Sequence, residues 1–449
     1  MKIIRSDKFQ IHADRAAHLA LDETLEIYRS YVRDLMLLIN ARWPQLARCS
    51  GNECVKAIEN LIHPTAKRPK VATRYFHRRY YKFPSYLRRV AIKDAFGQVA
   101  SFHTRYDRWL DGQRTDPRAK PPRLTCATQT FPSLYAGQCL KFSENGRHCD
   151  IKVFWRNDWV WRTYRIMGTP RFVQRGKQRS PLLTRDHRHR HFLSVPVQIT
   201  IDLPDKDEWT GRVMAIDVGI NTAATTAVVD ASGTVLHREF FPRSDKDREH
   251  KIMAGIRTAA KKATGHGAPL YRGFCAARYR RLRNMAIEQA HQISRKIIDH
   301  AKAMGCDAVI VEHLKGWRPR AGRKRSTMKM RFHRWFHRRL IDLIHSKAHE
   351  ARLRFRTVYP RGTSSLAFDG TGKLKRDRSN YSLATFPSGK RYNADLNAAY
   401  NIAARGIVKL YYGGSGNRTP GVSGQKSRNA QRSPVTLSCI WALSRAQAA

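Results

Sequence analysis

Three carboxylates in this chain stand where a core-building sequence would put apolar residues. Asp217 closes the run Val213-Met214-Ala215-Ile216, Glu312 closes Ala308-Val309-Ile310-Val311, and Asp395 lies in Asn393-Ala394-Asp395-Leu396-Asn397-Ala398-Ala399. An unpaired buried carboxylate is costly, so an acid set repeatedly into strand context calls for a cation partner. Acidic oxygens brought from separate elements to one point are what two-metal phosphodiester hydrolysis requires. In that chemistry two Mg2+ ions roughly 4 Å apart stabilise the attacking water and the leaving 3′ oxygen. Asp217, Glu312 and Asp395 are therefore the candidate catalytic residues and magnesium ligands. Taken singly, each acid reads equally well as an exposed or salt-bridged strand end; the argument rests on the ordered set.

The acids can meet only if the elements that carry them adjoin. Strands are predicted over 213–219, 223–229 and 235–241, the last two joined by the turn Asp230-Ala231-Ser232-Gly233. A long basic helix over about 276–304, a strand over 308–312, a helix over about 334–352, a strand over 355–358 and a helix over 393–406 follow. This order is that of an RNase H-like mixed sheet. It sets Asp217 on the central strand and Glu312 on a parallel neighbour, with Asp395 opening the helix beside them. In the first half, a helix from about Ala13 carries Leu21, Leu25, Tyr28, Val32, Leu35 and Ile39 at steps of three and four, and Trp43-Pro44 ends it. A second helix starts at Ser85. From about residue 116 to 201 short alternating runs separated by turns predict a small β-domain. The expected fold class is thus α+β multidomain. It has a β-barrel-like N-terminal region over 1–205 interrupted by a helical insertion over about 13–112, and a mixed α/β nuclease region over 206–360 and 393–410. Residues 361–392 form an insertion, and the acid-free tail over 411–449 is expected to be disordered.

Bulk charge points to a polyanion. Lys+Arg 85 against Asp+Glu 35 gives a net charge of +50 in 449 residues, an excess that nucleic acid would neutralise. The basic residues spread along the whole chain rather than along one amphipathic face, which argues against a membrane surface. No targeting or membrane-spanning run is read, and the eight cysteines form no C-x-x-C pair, so a cytoplasmic protein with reduced thiols is expected. In Arg74-Tyr75-Phe76-His77-Arg78-Arg79-Tyr80-Tyr81-Lys82, rings suited to stacking on unpaired bases alternate with cations suited to phosphates. The same pattern fits a helix with aromatic core residues and solvated arginines.

Several motifs carry a family resemblance. Ala215-Ile216-Asp217-Val218-Gly219-Ile220-Asn221, Val309-Ile310-Val311-Glu312-His313-Leu314 and Asn393-Ala394-Asp395-Leu396-Asn397-Ala398-Ala399-Tyr400-Asn401-Ile402 resemble the three RuvC motifs of the TnpB proteins and the compact type V CRISPR effector nucleases. His291-Gln292-Ile293-Ser294-Arg295-Lys296-Ile297 resembles the family's basic helix, and Phe83-Pro84-Ser85-Tyr86-Leu87-Arg88-Arg89 is similar to a segment of its small members. The match covers about residues 210–406, in order. It implies a guide RNA, a DNA target chosen by base pairing, one RuvC site that cuts DNA, and a monomer or homodimer on the RNA. Within such a site Asp217 would bridge the ions and Asn397 would orient Asp395. Candidate nucleic-acid contacts are Arg74, Arg78, Arg79, Arg88, Arg89, Arg295, Lys296, Lys373 and Lys375. Two other readings share these features: an RNA-guided binder that silences without cutting, and another RNase H-like nuclease or transposase.

One departure from the family is plain. The resemblance implies a zinc ribbon with two C-x-x-C pairs, but Ala367, Gly370, Thr385 and Ser388 stand at the expected thiols. None supplies a thiolate, so no zinc is expected, and the loop would persist as a metal-free β-hairpin. Elemental analysis of the purified protein is expected to find no stoichiometric zinc; one zinc per chain would overturn the assignment.

Overall fold

The computed structural model describes residues 1–113, 119–220, 222–265, 267–314, 337–377, 379–413 and 435–448. They divide into two compact units, Met1–Thr200 and Ile201–Ala449.

In the first unit, strand β1 (Lys2–His12) leads into helix α1 (Arg15–Ala41), which Asp14 caps by accepting the Ala17 N–H at 2.6 Å. Its buried stripe is the one that the spacing predicts, from Leu21 to Ile39. Trp43-Pro44 does not simply end the helical run. Proline is tolerated in a first helical turn, and here it starts the short α2 (Trp43–Leu46). Helix α3 (Gly51–Ile62) opens on a Ser50/Glu53 capping box, followed by α4 (Tyr75–Arg79) and α5 (Ser85–Leu110). Strands β2 (Leu140–Phe142), β3 (His148–Trp155), β4 (Asp158–Met167), β5 (Lys177–Gln178), β6 (Leu182–Arg185) and β7 (His191–Thr200) complete an antiparallel sheet. Its order is β2-β3-β4-β1-β7-β5, with β6 also on β7. The helices are therefore an insertion between β1 and β2, and β1 pairs with β7 from Lys2↔Thr200 to Gln10↔Phe192. Beyond the ladders, Ser133 bridges to Leu182 and Ala136 to Leu140, so the segment between them reaches from β6 to β2.

The second unit holds β8 (Arg212–Asp217), β9 (Thr222–Asp230), β10 (Val235–Pro242), α6 (Lys246–Thr264), α7 (Ala276–Ala303), β11 (Ala308–Glu312), α8 (His337–Glu350) and β12 (Arg354–Val358). The short strands β13 (Lys375–Arg376), β14 (Leu383–Thr385) and β15 (Arg391–Asn393) follow, then α9 (Ala394–Leu410) and α10 (Leu437–Ala448). The sheet order is β10-β9-β8-β11-β12, antiparallel through β10, β9 and β8, and parallel through β8, β11 and β12. Successive side chains of a strand point to opposite faces. Met214, Ile216, Val309 and Val311 accordingly pack with Ile293, Ile297, Leu340 and Ile344 of α7 and α8. Val213, Ala215, Ala308 and Ile310 pack with Ala399, Ile402, Ala403 and Ile407 of α9 and Ile440 of α10.

Two expectations change here. Residues 437–448 of the tail are not disordered, because Leu437 and Ile440 are buried in the α9 core and Trp441 donates its indole N–H to the Gly233 carbonyl at 2.9 Å. An apolar spacing within twelve residues was masked by the polar composition around it. The insertion forms a three-stranded antiparallel sheet, β13-β14-β15, rather than a hairpin. No described helix is long and apolar enough to cross a membrane.

Gly406 sets how closely α9 approaches the central strands. A Cβ there would meet Ile310 Cγ1 at 2.6 Å, on a β-branched side chain that has no exposed surface. Gly406→Ala should therefore lower stability by about 1–3 kcal/mol through overpacking, although alanine is the better helix former. Urea unfolding midpoints of the two proteins measure it.

Candidate active site

The alternation of the parallel strands decides where the acids point. Asp217 is in phase with Val213 and Ala215 on β8, and Glu312 with Ala308 and Ile310 on β11, so both belong to the face that α9 covers. Ile216 pairs with Val311, which sets the two acids at the same end of adjoining strands, in a ladder whose strands lie about 4.8 Å apart. Asp395 sits in the first turn of α9. There Asn393 caps the helix by accepting the N–H groups of Asp395 and Leu396 at 2.9 and 3.0 Å.

The three acids share one electrostatic environment. Burial pushes the Asp217 carboxyl well above the usual carboxylate range, and the charges of Glu312 and Asp395 push it further, against the pull of Arg376. Burial also raises Glu312, opposed by a hydrogen bond from the Thr363 hydroxyl and by the charge of Arg405. Asp395 is raised by burial and lowered by Arg376. The donor set suits a hard divalent cation: carboxylate oxygens from three elements whose charge the protein compensates incompletely. Among the described residues, however, no group of three or more His, Cys, Asp and Glu side chains is arranged to hold a metal ion. The acids adjoin without forming a closed cage.

Asn397 does not orient Asp395. Residues two apart on a helix do not share a face, and Asn397 is fully buried on another side of α9. Its Oδ1 accepts the Phe368 N–H and its Nδ2 donates to the Leu366 carbonyl, both at 2.8 Å. Asn401 Nδ2 donates to the carbonyls of Thr363 and Leu366, at 3.0 and 2.8 Å. Arg405, only 1% exposed, donates to the carbonyls of Tyr359, Arg361 and Val435. Polar residues at 397, 401 and 405, spaced by four in the otherwise apolar stretch 396–408, are the sequence signal for this row. Arg376 and Thr363 carry no comparable signal, since they reach the acids from loops and a short strand.

The expected nucleic-acid contacts separate into two groups. Arg74, Arg78, Arg79, Arg89, Arg295, Lys296, Lys373 and Lys375 are exposed. Arg88 is not: it is buried and its Nε lies 3.1 Å from Glu59 Oε1. Heptad-like phase puts it on the inner face of α5 with Leu87 and Ala91, so it serves the core. The aromatic run divides in the same way. Phe76, Tyr80 and Phe83 pack around Tyr31, whereas Tyr75 and Tyr81 are exposed.

With this geometry in hand, known proteins offer comparisons. The Aq_aa04 family model matches residues 5–155. No curated protein matches the chain. Among solved structures, the Cas12f1–sgRNA–target DNA complex aligns with a TM-score of 0.51 and 13% identity, covering 90% of this chain and 99% of that one. The mini-RNA-guided endonuclease CRISPR-Cas_phi3 aligns with a TM-score of 0.51 and 9% identity, covering 91% and 92%. The chain thus shares the mixed α+β, multidomain fold of compact type V CRISPR effectors. At these identities the likeness is one of fold.

The division of the arginines can be measured. Arg88→Ala should cost about 2–3 kcal/mol in chemical unfolding, because it leaves Glu59 half-buried beside a weaker partner. Arg78→Ala, at an exposed position, should stay within about 0.5 kcal/mol of the parent.

Proposed function

We propose that this chain is an RNA-guided DNA endonuclease of the TnpB and compact type V kind, cutting its target in a RuvC-type, RNase H-like site. The observation that carries the reading is that Asp217 and Glu312 close adjoining parallel strands on the face that α9 covers, while Asp395 lies in the first turn of α9. The strand order β10-β9-β8-β11-β12 supports the RNase H-like assignment. The N-terminal sheet, whose outer strands the segment around Ser133–Leu140 approaches, is read as the barrel-like domain that grips RNA. Guide RNA and target DNA are the partners, with one or two protein copies on each RNA, in the prokaryotic cytosol. The same features suit a guide from a transposon end or from a CRISPR array.

In this mechanism Asp217, Glu312 and Asp395 would hold Mg2+. Magnesium, when bound, supplies Lewis-acid stabilisation of developing charge and lowers the pKa of water. Arg376 contributes positive charge beside Asp217 and Asp395. The exposed cations Arg74, Arg78, Arg79, Arg89, Arg295, Lys296, Lys373 and Lys375 hold phosphates, and exposed Tyr75 and Tyr81 offer faces to unpaired bases. Attack in line with the leaving 3′ oxygen requires the scissile phosphate at the end of β8 and β11.

A second reading, guided binding without cleavage, draws on the open arrangement of the acids. One experiment separates the two. The protein is purified with its RNA, the RNA is sequenced, and matched duplex DNA is offered with Mg2+. A single defined RNA and magnesium-dependent cuts are expected. Asp217→Ala should reduce cleavage by more than about 100-fold, since even outer partners of a metal ligand are worth 10–100-fold, while RNA retention is unchanged. If the variant cuts at the parent rate, the acid centre is not the nuclease site. If the parent binds matched DNA without cutting it, the second reading holds.

A further inference from the structure

The loop that follows β12 is fastened at every second or third residue by one face of α9. Arg405 takes the carbonyls of Tyr359 and Arg361, Asn401 takes those of Thr363 and Leu366, and Asn397 takes Leu366 and the N–H of Phe368. All three side chains are fully buried, or nearly so. In the middle of this clamp stands Thr363, 1% exposed, whose hydroxyl reaches Glu312 Oε1 and the Pro360 carbonyl, the latter at 2.7 Å. A hydroxyl has one proton. Against an ionised Glu312 it donates to the carboxylate, the stronger acceptor, and so fixes the rotation of that side chain.

We propose that Thr363 is a positioning residue for Glu312, and that the α9 row Asn397–Asn401–Arg405 holds it at the height from which it sets the cation affinity of the acid group. The inference rests on the acid site proposed above. It couples both ends of that site to one helix: α9 carries Asp395 in its first turn and steers Glu312 from the opposite side through the loop. Of the neighbouring cations, Arg376 acts on Asp217 and Asp395, and Arg405, the last member of the row, acts on Glu312.

The test uses the full-length, RNA-loaded protein and Mg2+ alone as the probe. Thermal midpoints are recorded across a magnesium titration for the parent, Thr363→Val, Thr363→Ser and Asp217→Ala, and the magnesium dependence of cleavage is followed in parallel. Thr363→Val keeps the shape and removes the hydroxyl. It should raise the magnesium concentration at half-effect about 10-fold, in both binding and cleavage, as loss of an outer partner does. Thr363→Ser should return it to within about 3-fold of the parent, a rescue that packing alone would not give. Should the valine variant fail to fold, Thr363→Ala is read in its place. A parental midpoint in Thr363→Val, for the part of the magnesium response that Asp217→Ala removes, would overturn the positioning role and leave the acid site standing. If Asp217→Ala removes no part of that response, in thermal midpoint or in cleavage, both are overturned.

Discussion

Like charge gathered at one point is the constraint around which the second unit is built. Carboxylates on adjoining parallel strands and on a helix packed over them repel one another, and burial makes each charge harder to keep. Nothing in the local sequence relieves this. The side chains stay together because the elements beneath them are fixed by unrelated forces: the β8–β11 ladder, and apolar side chains interleaved between the sheet and α9. Relief comes from outside the strands. Arg376 approaches Asp217 and Asp395 from the small sheet, and Arg405 acts on Glu312 from within the core. These two cations compensate the three acids only in part.

Helix α9 answers that constraint in three ways. Its N-terminus, capped by Asn393, presents the positive end of the helix dipole to Asp395. Its C-terminal part lacks a side chain at Gly406, which lets the axis settle close to Ile310. Its polar row fixes the loop that touches Glu312. A helix buried on nearly every side carries no solvent face, so its few polar residues must find protein partners. The side-chain N–H groups of Asn397, Asn401 and Arg405 find them in carbonyls of the loop and of Val435, while Asn401 Oδ1 and Arg405 Nη2 stay buried without a partner among the described residues.

Sequence reading fared best where a local pattern ruled an element. The α1 stripe follows from steps of three and four, and the strands from Arg212 to Pro242 and the strand that ends at Glu312 follow from apolar runs bounded by turns or by an acid. It failed where a contact across distant segments decided the outcome. Arg88 looked like a phosphate ligand until Glu59, on another helix, was set beside it. Asn397 looked like a neighbour of Asp395 because the two are close in sequence, though a helix turns them apart. The tail looked disordered because twelve residues with apolar spacing lie in a polar stretch, and the surface they bury against is distant in sequence: α9, the turn at Gly233 and the segment around Phe368.

The small sheet shows how such long-range contacts can stand in for a local staple. At the positions where the family resemblance implies thiols, Ala367 is fully buried in the α9 core and Gly370 lies against Ser438, so closely that a Cβ would come within 2.5 Å of its hydroxyl. Between them Phe368 meets the rings of Phe386, Tyr392, Tyr400 and Trp441 at centroid distances of 5.5, 5.5, 5.1 and 6.3 Å. Each aromatic pair is worth about 0.5–1.5 kcal/mol beyond its buried area, less than the ~10–16 kcal/mol by which zinc folds an isolated finger. An isolated ribbon could not be held this way. This one need not be, because Phe368 also receives the Ser438 N–H at 2.9 Å and its neighbours belong to the core of the larger sheet. A segment that shares a core needs only enough energy to choose its place on it, and a ring cluster closed by α10 meets that smaller requirement.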